Sequence, residues 1–186
     1  MTTHSPSSVP GAGVTAGAGG ATGATGVLPP AIAKVLDRFG RLGREEKMQA
    51  LVSYAKRLEP LPERLQALDR AEFNVPECQT RVDLFAELQG ERLHFYADVN
   101  ARQSPTIAAV LAIVFSAVND QPPATTLAIP PDFVRRLMEG IGLAAREVGL
   151  NAMIQRLKRH AATAQALVSA GAGQGTGDAP VLVHAP

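Results

Sequence analysis

The amino-acid sequence predicts an α+β domain in which a small antiparallel β-sheet packs against several helices. Three observations lead to that class. Apolar residues recur with helical period over 30–39 and 44–58, they alternate with polar residues over 80–97 around a Gln-Gly pair, and an almost wholly apolar run at 106–118 is followed by two further helical stretches. The order is helix, helix, strand, strand, helix, helix, helix, and the folded unit is expected to span residues 29–168. Residues 1–28 and 169–186 are rich in Gly, Ala and Thr without periodicity. They are expected to be disordered tails, because they cannot bury enough apolar surface to offset their chain entropy.

Pro29 and Pro30 open the first helix, which carries Ile32, Val35, Leu36 and Phe39 on one face and is expected to stop at Gly40. The second helix, 44–58, has Glu45 and Glu46 in its first turn and Lys56 and Arg57 in its last, as the helix dipole favours. Its expected inward face is Met48, Leu51, Val52, Ala55 and Leu58. Pro60 and Pro62 end it, and a mixed segment with one helical turn leads to Cys78; a third strand near 72–78 is not excluded. In the first strand Val82, Leu84, Ala86 and Leu88 face the core, which leaves Asp83, Phe85 and Glu87 outside. A Gln89-Gly90 turn would pair Ala86 with Leu93, Leu84 with Phe95, Val82 with Ala97, and Glu87 with Arg92. Asp83 and Glu87 then read as surface charge. Ser104 and Pro105 read as the N-cap and first residue of a central helix ending at Val118. After a turn at 119–123 come a short helix over 131–139 and a last helix over 146–168. The last helix points Leu150, Met153, Ile154 and Leu157 inward and Arg156, Lys158, Arg159 and His160 to solvent.

Composition excludes several function classes. Eighteen Lys plus Arg against seventeen Asp plus Glu give a net charge of +1, far from the basic excess of a protein that grips nucleic acid through its phosphates. One cysteine and four scattered histidines build neither a disulfide framework nor a metal site. The apolar run at 106–118 falls short of the ~20 residues that cross a bilayer. No signal or transit pattern is present near the start, so a cytoplasmic location is expected, where a lone thiol stays reduced.

Cys78 is the one side chain offering strong nucleophilic chemistry without a cofactor. It stands in Asn74-Val75-Pro76-Glu77-Cys78-Gln79-Thr80, between a backbone-restricting proline and the first strand. A small buried apolar residue is the alternative reading of the same position. A cysteine-protease arrangement lacks its base, since His94 falls on the outer strand face and the other histidines lie in the tails or on the last helix. Asp98 and Arg146 sit at element ends, as caps or ion-pair partners.

Three blocks, VPECQT around Cys78, SPTIAAVLAIVFSAV at 104–118 and REVGLNAMIQRLKRHA at 146–161, together with PPAIAKVLDRFGRLGREEKMQALVSYAKRLEPLPERL at the start, resemble the SufE family of sulfur acceptors in iron–sulfur cluster assembly. The resemblance covers about 29–165. It implies a fold like that of the scaffold IscU, with one acceptor cysteine on a loop, here Cys78. It also implies a SufS-like, pyridoxal-phosphate-dependent cysteine desulfurase as sulfur donor and a SufBCD-like scaffold as receiver, with no cofactor or metal held by the chain itself. The chain would then be a sulfur carrier that stimulates an enzyme rather than an enzyme, acting as a monomer or homodimer. Arg146 matches an arginine before the family's last helix, which makes it a candidate for partner contact or for stabilising the thiolate; Glu77 and Gln79 are further candidates for partner contact. Val75 and Pro76 are expected to shelter the thiol partly. Two departures stand out: Glu77 replaces a glycine common in the family, and Asn100-Ala101-Arg102-Gln103-Ser104 replaces a Gly-Asp-Ser-Asp-Ala stretch. A regulator that binds desulfurase or scaffold without carrying sulfur is the second reading. An IscU-like cluster scaffold, the third reading, fails with one cysteine unless a dimer shares a cluster.

Overall fold

The computed structural model describes residues 28–142, 144–171 and 181–182. The expected tail at 1–28 lies outside these residues except for Leu28, and the same holds for 172–180 and 183–186 of the other. Helix α1 (Pro30–Arg41) buries the four apolar residues that its spacing selects. Helix α2 (Arg44–Ala55) is opened by Glu46, whose carboxylate accepts from the Gly43 amide at 2.8 Å. Its buried face differs from the expected one: Leu51 is joined by Tyr54 and Lys47, whereas Met48 and Val52 are 42% and 54% exposed. Apolar residues surround this helix, so period alone does not select a face. The contacts do: Tyr54 packs beside Phe39 with the two rings tilted and their centroids 6.0 Å apart, and the Lys47 stem is buried while its ammonium donates to the Glu139 carbonyl at 2.7 Å.

A short helix α3 (Glu63–Gln66) and a 3-10 turn (Arg70–Glu72) lead to the hairpin β1 (Val82–Gln89) and β2 (Arg92–Val99). Its register is two residues from the expected one, with Leu88 opposite Leu93, Ala86 opposite Phe95, Leu84 opposite Ala97 and Glu87 opposite His94. Gly90, at φ 63°, occupies the first rather than the second loop position, the arrangement of a II′-type turn. A shift of two keeps every side chain on its predicted face.

The outer face of β1 is not exposed. Phe85 stacks on Phe73 with ring centroids 4.4 Å apart, and Leu65 completes a second small core there. Asp83 and Glu87, expected as surface charge, are each 1% exposed. Glu87 accepts a two-pronged ion pair from Arg64 at 3.0 and 2.7 Å. Arg70 bridges Asp83, at 3.3 Å, and Asp98. Both arginines are held above their ordinary pKa, Arg64 chiefly by its bond to Glu87 and Arg70 chiefly by its bond to Asp98.

Parts of both free edges of the hairpin are covered. Segment 73–75 lies along β1 through Leu84 N–H to Phe73 O (2.8 Å) and Val75 N–H to Val82 O (2.9 Å), one bridge where a third strand was left open. Val181 bridges Glu87 on β1, and the buried Leu182 donates to Ala86 O at 2.8 Å. These two residues depart from the expected C-terminal tail, because an unpaired strand edge offers them backbone partners. Along β2, the Asn119 side chain accepts from Phe95 N–H at 3.0 Å and donates to Phe95 O at 3.1 Å, and Leu93 bridges Gln121.

Helix α4 (Pro105–Val118) has the predicted bounds and packs against α1, α2 and β2. After Asp120, at φ 60°, come α5 (Pro123–Leu127), which lies in a stretch not expected to be helical, and α6 (Phe133–Met138). Helix α7 (Glu147–Ser169) packs on β1, α5 and α6 and buries Leu150, Met153, Ile154 and Leu157 as expected. Arg156 and His160, expected in solvent, are also buried. Contacts with α5, α6 and the sheet widen the covered stripe beyond the apolar one.

Candidate functional site

Cys78 lies in the connection between segment 73–75 and β1. Both ends of that connection are therefore fixed by the 73–75/β1 pairing, and its interior is tightened by Cys78 N–H donating to Val75 O at 3.1 Å. A loop so short and so anchored holds its side chain in one place. The thiol is half-buried, the lone cysteine of the chain, and packs at the margin of the main core.

The sulfur forms part of the wall of a cleft of about 490 Å³ between the 77–80 segment, α4 and the start of α7. Glu77, Gln79 and Arg146 line the same cleft, so the residues singled out from the sequence stand together around the thiol. All three are exposed. Arg146 ends the 3-10 turn Ala144–Arg146 and precedes α7 directly. Of the expected shelter, Val75 is buried and Pro76 is exposed. Gly149 of α7 lies against the thiol, and Ile107 of α4 with Leu150 and Met153 of α7 line the same cleft.

Gly149 is the residue that sequence reasoning missed at this site. A Cβ there would stand 3.5 Å from the Cys78 sulfur and 3.5 Å from its Cα, ordinary van der Waals contact, so the backbone of α7 runs close beside the thiol with only the space of a methyl between them. A glycine in the first turn of an otherwise well-formed helix was the available signal.

The loop that departs from the family pattern is tied to this segment. Asn100 Oδ1 accepts from Arg102 N–H and Gln103 N–H at 3.1 and 3.2 Å, shaping the turn into α4. The Ser104 hydroxyl then makes no helix-capping bond but pairs with the Thr80 hydroxyl at 3.1 Å. The start of the central helix is thus linked to the residue two places after Cys78. From the opposite side Arg156, on α7, donates to the Glu72 carbonyl at the root of the same segment. Burial first, and Arg159 second, hold the Arg156 guanidinium below its ordinary pKa, while Glu77 and Asp83 act in the other direction.

Among the described residues no group of three or more His, Cys, Asp or Glu is placed to hold a metal ion, and no helix is long and apolar enough to cross a membrane. Asp98, marked at a strand end, belongs to the Arg70 ion pair and not to the cleft. His94 bonds Asp120 and Glu59 at another cavity, away from the residues that line the Cys78 cleft.

Fold and site together define an α+β protein that presents one half-buried cysteine from a short anchored loop beside a helix N-terminus. The chain belongs to the SufE family: residues 33–161 match the family model described as SufE, Fe-S metabolism associated domain. Its role therefore lies in iron–sulfur metabolism. It is 34% identical over 140 residues to an uncharacterized SufE-like protein of Mycobacterium tuberculosis, a match covering 71% of this chain and 92% of that one. An uncharacterized SufE-like protein of Synechocystis is 27% identical over 112 residues, 60% of this chain and 67% of its own. The solution structure of a hypothetical protein from Thermus thermophilus superimposes with a TM-score of 0.65 at 27% identity, covering 75% of this chain and 99% of that one.

Proposed function

We infer that this protein accepts persulfide sulfur on Cys78 from a SufS-like cysteine desulfurase and relays it to a SufBCD-like assembly scaffold, stimulating the desulfurase by clearing its product. The observation that supports the reading best is the setting of Cys78, a lone thiol fixed on an anchored loop in the wall of a cleft. A cleft side admits a partner's reactive group, while the packed side limits encounters with stray oxidants and reductants.

The chemistry suits a thiolate. The Cys78 sulfur attacks the outer sulfur of the desulfurase persulfide, a new S–S bond forms to Cys78, and the old S–S bond breaks with its electron pair leaving on the desulfurase cysteine. The outer sulfur keeps its proton, so Cys78 carries S–SH and the desulfurase regains a thiolate. No net oxidation occurs. Arg146 in the cleft lining offers a cation to the incoming partner, and Glu77 and Gln79, the sequence neighbours of Cys78, offer polar contacts there. Such exchange belongs in a reducing compartment, the cytoplasm, where the resting thiol stays free.

The test is intact-mass analysis after incubating the reduced protein with a cysteine desulfurase and cysteine, beside Cys78→Ser. One sulfur gained by the native chain and none by the variant, with stimulation lost in the variant, is the expected result. Stimulation retained by Cys78→Ser would replace the carrier reading with that of a binding regulator.

A further inference from the structure

Gly149, Met153 and Arg156 recur at i, i+4 and i+7 along α7 and so share one face of the helix. That face meets the Cys78 segment twice. Gly149 lies against the sulfur, and Arg156 donates to the carbonyl of Glu72, the last residue of the 3-10 turn from which the segment departs. Between these points the segment is held by the two backbone bonds of residues 73 and 75 to β1.

Arg156 is an expensive residue for this position. It is only 8% exposed, its Nε is buried with no partner among the described residues, and the group that accepts its hydrogen bond is a neutral carbonyl rather than a carboxylate. Burying a guanidinium without a direct ion pair costs more than burying an apolar side chain of the same volume. Packing alone does not account for it. The carboxylates of Asp83 on β1 and Glu77 beside the thiol act on it from a distance, against the like charge of Arg159 one turn along.

We propose that Arg156 is a positioning residue for sulfur transfer: by tethering the Glu72 carbonyl to α7 it clamps the root of the acceptor segment and so keeps Cys78 seated against the Gly149 turn. The role in transfer rests on Cys78 being the sulfur acceptor, whereas the clamp can be measured on the free protein. Lys158, two residues along the same helix, is a built-in control. It makes the same kind of bond, from its ammonium to the carbonyl of Ile129, but to a part of the chain that does not carry the thiol.

The experiment is the rate of Cys78 alkylation by iodoacetamide in the full chain, comparing native protein with Arg156→Met, Arg156→Lys and Lys158→Met. Loss of one charge-assisted hydrogen bond is expected to make segment opening, and with it alkylation, about ten-fold faster in Arg156→Met. Arg156→Lys restores one donor and is expected to fall between the two, and Lys158→Met to react at the native rate. Should Arg156→Met not fold, Arg156→Lys carries the test, and a native rate there overturns the clamp. A native rate in Arg156→Met, or equal acceleration in Lys158→Met, overturns it as well. Sulfur gain is followed on the same samples: if alkylation follows the expected order but native Cys78 takes up no sulfur, the carrier reading fails and the clamp stands.

Discussion

Replacing Gly149 by alanine is expected to make the protein more stable and its thiol less reactive. The added methyl would lie 3.5 Å from the Cys78 sulfur, 3.5 Å from its Cα and 3.7 Å from its Cβ, which is attractive contact rather than overlap. Three such contacts are worth about 0.5 kcal/mol in sum, at ~0.1–0.2 kcal/mol each. Alanine in place of glycine adds up to ~1 kcal/mol of helix propensity, less in a first turn than in mid-helix. A gain of about 1 kcal/mol corresponds to a Tm about 3 °C higher for a domain of this size. The same methyl covers the α7 side of the sulfur and narrows the space through which a reagent reaches it. Thermal melts followed by circular dichroism, iodoacetamide kinetics and intact-mass sulfur uptake read the three effects on one preparation. A lower Tm would refute the contact geometry. A higher Tm with unchanged alkylation and uptake would refute the idea that the Gly149 turn controls access to the thiol.

Asn119→Ala strips both partners from the Phe95 backbone and is expected to cost about 2 kcal/mol in urea unfolding, with Asn119→Asp, which keeps the acceptor and loses the donor, in between. Arg64→Met leaves the buried Glu87 carboxylate without its guanidinium; about 2 kcal/mol is expected, less than for a wholly buried pair because the Arg64 side chain is 51% exposed, and adding Glu87→Gln should recover most of it. Lys158 gives a pH signature. Burial lowers its ammonium pKa from the ordinary 10.5, so just below that value the unfolded chain binds more protons than the folded one and stability rises with pH. Urea midpoints of native protein relative to Lys158→Met are therefore expected to climb as pH approaches 10.5 from below, and a falling difference would contradict burial as the cause.

Periodicity made the hairpin faces and the central helix legible in the sequence, because the residues that decide them are local. Val82, Leu84 and Ala86 alternate over a few residues, and Ser104-Pro105 marks a helix start whether or not the serine caps it. Register needed the turn conformation, and Gly90 fits either loop position in the sequence alone. What stayed hidden was long-range. An Asp83-Phe85-Glu87 face reads as solvated until Phe73 and Leu65 are brought onto Phe85, and Arg64 and Arg70 onto the carboxylates, from segments that the strand pattern does not mention. Phe85 was the clue, a large aromatic on a face otherwise assigned to water. At the site, Cys78 stood out by its chemistry and Arg146 by its place before the last helix. Gly149 and Arg156 did not, since their meaning depends on which strand of chain α7 lies against.

A two-stranded hairpin with a bare edge is an invitation to any extended chain that passes, and proteins that meet several partners in turn are the most exposed to that risk. Here stretches of both outer edges are already occupied: residues 73–75 and 181–182 along β1, the amide of Asn119 and the backbone of Gln121 along β2. Along those stretches a visiting protein cannot add itself to the sheet as an extra strand and must read side chains instead. On the proposed carrier reading, the cleft that holds Cys78 is where such an encounter would be chemically useful.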